Sequence, residues 1–518
     1  MLICTYNEPL DLLKKTIVAS KNLNYPKNKF KVYVCDDGKR NELKQLCKNF
    51  NVNYITRDNN KGAKAGNINN ALNIIDGDLF AVLDADMIPK KDFLTKTVGY
   101  FSNKNTAFVQ TPQVYYNQDM YQYNLSRQIP NEQDFFMRSI EEARASINAV
   151  LHVGTNAVFN RQYVLNIGGY PTCSITEDMA VGMLLQSKGY DSIFINEELV
   201  LGLSATTFSE LVKQRDRWCR GNLQVIKNFN IFLNKGLTIP QKIAYFDGVV
   251  YWLSSIQKLI YILCPIIYLL TSNLIIDATT KELFTMFTPF ILGQFLIFKT
   301  LSPKTRSLKW SHYYEIAMAP HISLSVLKEL LAIKISFNVT SKDITSDKKH
   351  FQFKIALPHI IIALVTIISW VIGTLSLNGE LGNFSAYLIN MFWSFYNFLG
   401  IIISIKVAYQ KPIYRKGERI KISDPIDATI IYNDNLVKGH IYDISENGLG
   451  IKLNSNFPIK ENSIVTIVFN NTKLNCKVNR QNKKLLGLTY LSLKEKDYEK
   501  IIDIYVNNIS SHYNTRIS

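Results

Sequence analysis

Four short stretches put charged side chains in patterns that can do chemistry: DDG at 36–38, DAD at 84–86, TED at 176–178 and QRDRW at 214–218. Asp84 and Asp86 flank one small residue, a spacing that can hold a divalent ion through the oxygen ligands Mg²⁺ prefers. An ion held there bridges phosphates and neutralises a departing diphosphate. In TED, Thr176 is a candidate helix cap. Asp178 has the chemistry of a general base that takes a proton from an attacking hydroxyl, with Glu177 beside it. Asp36 and Asp37 can accept hydrogen bonds from a base or ribose, although Asp-Gly is also a plain turn signal. Lys64, between small residues in AKAGN, suits a diphosphate or solvent. Arg215 and Arg217 offer planar forks for phosphate oxygens. Gln214 joins them, and Trp218 adds a flat face for a sugar ring.

These groups need a frame. FKVYVCDDG (30–38) and DLFAVLDAD (78–86) read as buried strands that end in carboxylates, while DLLKKTIVASKNL (11–23) and NINNALNIID (67–76) read as helices. Alternating strands and helices imply an α/β sheet with its ligands at the carboxyl ends of the strands. The segment Thr207 to Phe229 is amphipathic with basic flanks, suited either to the anion grip or to a membrane interface.

Apolar runs follow at 249–270, 283–298, 355–377 and 384–405. A crossing takes roughly 20 residues, so the run at 283–298 is short enough to be a buried core helix instead. Residues 299–354 hold ten Lys and Arg, whereas 378–383 hold none. Positive loops stay inside, so the α/β unit, 299–354 and the C-terminus are expected on the cytosolic face of a multi-pass protein of the inner or plasma membrane. From about Lys411 short alternating runs such as IDATIIY, HIYDIS and SIVTIVF predict a small all-β barrel or sandwich, closed by a helix at 494–509.

Composition agrees with this division. The net charge of +17 by itself allows nucleic acid, an anionic membrane surface or a phosphorylated substrate, and only together with the resemblance given below is no nucleic-acid partner expected. Seven cysteines at 4, 35, 47, 173, 219, 264 and 476 show no metal or redox spacing, which predicts reduced thiols. The opening MLICTYNEPL lacks the features of a signal peptide.

DDG, DAD, TED and QRDRW, in that order and followed by membrane helices, resemble the processive family 2 glycosyltransferases, and bacterial cellulose synthase catalytic subunits in particular. FVQTPQ (108–113) lies between DAD and TED as in that family, and FNVTSK (337–342) resembles its gating loop. RKGER (415–419) and DISENG (443–448) match the RxxxR and D/NxSxxG signatures of PilZ domains, which bind cyclic di-GMP.

The resemblance implies three parts. Residues 1–235 would be a cytosolic GT-A glycosyltransferase domain, 236–410 a membrane region with interface helices, and 411–518 a β-barrel PilZ domain with its C-terminal helix. It implies that Asp36 or Asp37 and Lys64 contact UDP, that Asp84 and Asp86 flank Mg²⁺ or Mn²⁺, and that Asp178 is the base. Gln214, Arg215 and Arg217 would hold the diphosphate, with Trp218 under the terminal sugar of the chain. Phe337, Val339, Thr340 and Lys342 would belong to the closing loop. Arg415, Arg419, Asp443, Ser445 and Gly448 would bind cyclic di-GMP.

The implied activity is inverting, processive transfer of glucose from UDP-glucose to a growing β-glucan that is exported across the bilayer. The product would be cellulose or mixed-linkage β-1,3;1,4-glucan. The alternatives are a catalytically idle, membrane-anchored cyclic di-GMP receptor and a synthase of another β-linked polysaccharide. Two departures stand out. The chain begins inside the first strand, at LICTYNEP, so a truncated N-terminus or an accessory subunit that completes the export path is expected. The family's FFCGS segment near the acceptor is LHVGT (151–155) here, with His152 new and Val153 replacing cysteine.

Overall fold

The computed structural model describes residues 1–274, 280–302, 305, 307–333, 348–376, 384–414 and 417–511. Its first part is built on a sheet of seven strands among the described residues: β1 (Leu2–Thr5), β2 (Tyr33–Asp36), β3 (Asn53–Ile55), β4 (Leu79–Asp84), β5 (Thr106–Gln110), β6 (Ala157–Asn160) and β7 (Asp191–Phe194). Their order across the sheet is β3-β2-β1-β4-β6-β5-β7. All four residues of β1 are buried, as expected for a strand covered on both faces.

The strands β1, β2, β3 and β4 run parallel, and the chain order reverses on either side of β1. Thr5 pairs with Asp36 and Cys4 with Asp84, so the carboxylates that close β2 and β4 flank the end of β1. That is the switch-point crevice where open α/β sheets take ligands. The strand β6 runs antiparallel to β4, with Ala157 opposite Val82. Residues 152–156, which lead into β6, therefore arrive beside Asp84.

Three helices complete the frame. α1 (Leu10–Lys21) buries Leu13, Ile17 and Val18, together with Lys15. α2 (Ala63–Ile74) begins after Gly62, which sits at φ +72°, a left-handed conformation that suits glycine. α3 (Glu177–Ser187) carries two of the TED residues in its first turn. α4 (Phe208–Phe229) follows, with the Thr207 hydroxyl accepting from the Glu210 N–H as its cap.

Four helices among the described residues are long and apolar enough to cross a membrane: α5 (Ile239–Thr271), α6 (Thr280–Leu301), α8 (Phe353–Ser376) and α9 (Phe384–Val407). The short run at 283–298 thus lies in a longer helix than its sequence alone suggested. α7 (Leu308–Leu330) packs its Ala317, Met318, Ile322 and Val326 with Phe208 and Leu211 of α4 and Trp252 of α5. Glycine permits the close approaches in this bundle: a Cβ on Gly400 would lie 2.5 Å from Ile316 Cδ1.

The all-β unit is a closed barrel rather than a sandwich. Its strands β8 (Ile420–Tyr432), β9 (Asn435–Ile444), β10 (Gly448–Leu453), β11 (Ile464–Phe469), β12 (Thr472–Asn482) and β13 (Leu485–Tyr490) follow the order β8-β9-β10-β13-β12-β11, and β11 pairs back onto β8. The terminal helix α10 (Glu495–Asn508) lies between barrel and α/β unit, with Tyr498, Ile501 and Tyr505 in a core that also contains Leu13 and Ile17 of α1.

Candidate active site

Asp36 and Asp37 stand at the crevice, and both are already bonded. Asp36, fully buried, accepts from the Arg40 guanidinium at 3.0 Å, the Gly38 N–H at 3.0 Å and the Tyr54 hydroxyl at 3.0 Å. Asp37 takes both nitrogens of the Arg57 fork, at 2.6 and 2.7 Å. Neither arginine stood out in the sequence. Arg40 lies four residues beyond Asp36 in DDGKR, a readable clue, whereas Arg57 is twenty residues from its partner.

Lys64 donates to Asp84 and, at 2.6 Å, to the Gly154 carbonyl. Burial alone would depress this amine, but Asp84, joined by Cys4 and Glu177, offsets it and holds Lys64 well into the protonated range. Asp86, the second DAD carboxylate, is buried. Asp84 keeps part of its surface and has an ammonium against it, so this strand end accommodates positive charge. Among the described residues no group of three or more His, Cys, Asp or Glu converges as a metal cage. Two carboxylates fit a Mg²⁺-type ion that draws its remaining ligands from phosphate and water.

The TED turn faces this pair across residues 152–156. Gly154, at φ +86°, is pressed against Asp178: a Cβ there would lie 2.7 Å from Asp178 Oδ2. Asp178 Oδ1 accepts from the Met179 N–H at 2.8 Å. Burial pushes the Asp178 carboxyl up from its ordinary range, opposed by that hydrogen bond and by Lys64 and Arg217. Burial, then the adjoining Asp178 charge, pushes Glu177 up to about 7. Thr176 occupies the cap position of α3 without a side-chain cap hydrogen bond, so the capping role expected for it is not made. Its hydroxyl is buried and unbonded, and its methyl meets α4, where a Cβ on Gly221 would come within 2.4 Å.

That approach explains the placement of QRDRW. Arg217 stands one helical turn before Gly221, so docking Gly221 on Thr176 brings Arg217 toward the two carboxylates. Arg215 points elsewhere: it is buried, grips Glu132 through Nε at 3.0 Å and Nη2 at 2.6 Å, and covers the Trp218 indole at 4.4 Å. The structure brings Lys64, Asp84, Glu177, Asp178 and Arg217 together, while Arg215 is occupied by a partner 83 residues away that the sequence did not suggest. Gln214 and Arg215 line a small cleft with Tyr115 and Asp119.

His152 is turned into the core. Its ring is buried edge-on against Phe159, and Nδ1 lies 2.9 Å from Gln110 Oε1. Burial holds it well below the usual imidazole range. Gln110, from FVQTPQ, also accepts from the Val153 N–H and donates to the Thr155 carbonyl, so it fixes the loop that carries Gly154. Cys173, exposed, precedes the TED turn, and Asn228 of α4 donates to its carbonyl.

Beyond α4, Arg220 pairs with Glu329 of α7 at 2.9 Å and donates to the Ile333 carbonyl. Phe337, Val339, Thr340 and Lys342, expected to belong to the closing loop, lie outside the described residues. So does Arg415. In the barrel, Arg419 bonds Asp443 at 2.9 Å, Ser445 donates to the Gly448 carbonyl at 3.0 Å, and a Cβ on Gly448 would lie 2.1 Å from the Leu488 carbonyl oxygen. The two barrel signatures therefore share one end of the barrel.

Comparison with known proteins gives the same division of the chain. The family described as Glycosyl transferase family 2 matches residues 1–168, Cellulose synthase matches 166–411, and PilZ domain matches 414–507. A cellulose synthase catalytic subunit (UDP-forming) of Pseudomonas fluorescens (strain SBW25) is 31% identical over 473 residues, 90% of this chain and 64% of that protein. The protein of the same description from Xanthomonas axonopodis pv. citri (strain 306) is 30% identical, over 89% of this chain and 64% of its own length. Cellulose synthase 2 of Novacetimonas hansenii is 28% identical, over 90% of this chain and 30% of its own. The chain thus spans under two thirds of the length of these curated relatives. The three family models thus match the chain in order and nearly without a gap.

Proposed function

We propose that this chain is the catalytic part of a processive, inverting glycosyltransferase of the inner membrane, regulated by cyclic di-GMP, that polymerises glucose from UDP-glucose into a β-glucan. The observation that carries the proposal is the half-buried pair Glu177–Asp178, set between the Lys64–Asp84 strand end and Arg217. Such a pair supplies a carboxylate base in a site poised for anions. In this reading the Asp178 carboxylate takes the proton of the acceptor hydroxyl as its oxygen bonds to the anomeric carbon. The bond to UDP breaks on the opposite face, so an α-linked donor gives a β-linkage. Arg217 and Lys64 meet the charge that develops on the diphosphate. A Mg²⁺ or Mn²⁺ ion held by Asp84 and Asp86, when bound, would neutralise the same leaving group. Gln214 would join Arg217 and Lys64 at the diphosphate, and Trp218 would stack on the end of the glucan.

α5, α6, α8 and α9 would span the bilayer, with both flanking domains in the cytosol and an accessory subunit possible for export. The barrel would bind the cyclic dinucleotide through Arg419, Asp443, Ser445 and Gly448, joined by Arg415.

The test is membranes that contain the chain, supplied with labelled UDP-glucose, Mg²⁺ and cyclic di-GMP. Product is then digested with a β-1,4-glucanase and, separately, a lichenase. Cleavage by the first alone identifies cellulose, and cleavage by lichenase identifies mixed linkage. Absence of both UDP release and polymer, with the cyclic dinucleotide still bound, would leave an idle receptor. Asp178→Asn is expected to lower transfer about 10²–10⁴-fold while UDP binding persists; equal activity would remove Asp178 as the base.

A further inference from the structure

A cavity of about 650 Å³ lies at the end of the barrel that carries both signatures, and one wall of it belongs to the other domain. Arg419, Glu446, Gly448 and Arg480 come from the barrel, whereas Asp11 and Lys14 come from α1. The Lys14 ammonium lies 3.9 Å from the ring centre of Tyr498 and 5.8 Å from that of Phe50, so its head rests on the Tyr498 ring, which lines the same cavity. It is half-buried, and burial lowers it from the ordinary lysine range, opposed by the nearby charges of Asp11 and Glu495. A partly dehydrated cation gains when an anion arrives. Its neighbour Lys15 is differently engaged, fully buried and paired with Glu446 of DISENG at 3.2 Å.

We propose that the cyclic dinucleotide is held by both domains, with Lys14 of the transferase domain donating to a phosphate of the ligand while Arg419 and its neighbours hold it from the barrel. This inference rests on the reading of the barrel as a cyclic di-GMP site. The bound ligand then bridges α1 to the barrel. The chain segment immediately before α1 holds Glu8, which bonds Thr5 at the nucleotide crevice, so the helix that meets the ligand grows directly from that crevice.

The experiment is a calorimetric titration of the full chain, purified in lipid nanodiscs, with cyclic di-GMP. Lys14→Gln is expected to weaken binding about tenfold or more, the size of a lost charge-assisted hydrogen bond, and Lys14→Arg to stay near the parent. Should Lys14→Gln not accumulate, Lys14→Met keeps a side chain of similar length without the charge and serves the same comparison. Arg419→Ala is expected to abolish binding. If Arg419→Ala loses the ligand while Lys14→Gln or Lys14→Met binds like the parent, the two-domain site is overturned and the barrel reading stands. If Arg419→Ala binds like the parent, the barrel reading falls and this inference falls with it.

Discussion

Glu177 and Asp178 are adjacent, half-buried carboxylates in one helical turn, and both are shifted upward. A base works only when ionised, and burial pushes the Asp178 carboxyl up, so in the proposed mechanism the acidic limb of activity lies above the usual carboxylate value of about 4. The two groups titrate as a pair. Glu177→Gln removes a neighbouring negative charge, so the acidic limb of UDP release against pH is expected to move to lower pH; an unmoved limb would refute this coupling. The same shift has a stability consequence of opposite sense. A carboxyl whose folded value is raised contributes stability below the unfolded value of about 4 and loses it as pH rises through about 7. Glu177→Gln is therefore expected to raise the melting temperature at pH 8 and to leave it little changed at pH 4. The carboxylates themselves were legible in the sequence because DAD and TED are compact local patterns. The Arg215–Glu132 and Arg57–Asp37 pairs were not, because each joins segments brought together only by the fold.

Gly221 decides how closely α4 can lie on the TED turn. An alanine there normally favours a helix by roughly 0.5–1 kcal/mol, yet its Cβ would fall 2.4 Å from Thr176 Cγ2. Gly221→Ala is expected to reduce transfer by as much as about 10²-fold through displacement of Arg217. Thr176→Ser, which removes that methyl, should restore part of the loss in the double variant. Initial rates of UDP release for the two single variants and the double one check this, and no recovery would mean that the glycine serves another purpose. The existence of α1, α3, α4 and the long apolar helices followed from periodicity and capping residues. The direction of β6 did not, because an alternating or apolar run carries no sign of parallel or antiparallel pairing. That direction is what delivers Gly154 to Asp178.

Lys15 and Glu446 join the two soluble domains as a buried ion pair, with the lysine set between the Tyr116 and Tyr505 rings at 5.2 Å each. Removing one partner strands a buried charge, at a cost of about 3–5 kcal/mol. Glu446→Gln is thus expected to lower the melting temperature of the detergent-solubilised chain clearly. The double variant Lys15→Met with Glu446→Leu should come close to the parent, because apolar replacement of a whole buried pair is often neutral. A double variant as unstable as Glu446→Gln would show that the charges themselves hold the domains. The division into α/β, membrane and all-β parts was legible from composition along the chain. The choice between barrel and sandwich was not, since it depends on one long-range pairing, Ile430 with Ile467 and its neighbours.

Cys173 gives this architecture a built-in chemical handle. Of the seven cysteines it alone is exposed, and burial pushes the Cys47, Cys219 and Cys476 thiols up to about 12. Only a thiolate attacks a maleimide at a useful rate, so brief treatment of the native chain should attach a fluorophore almost entirely at Cys173. The dye would then sit five residues from Asp178 and report on donor binding without any engineered substitution.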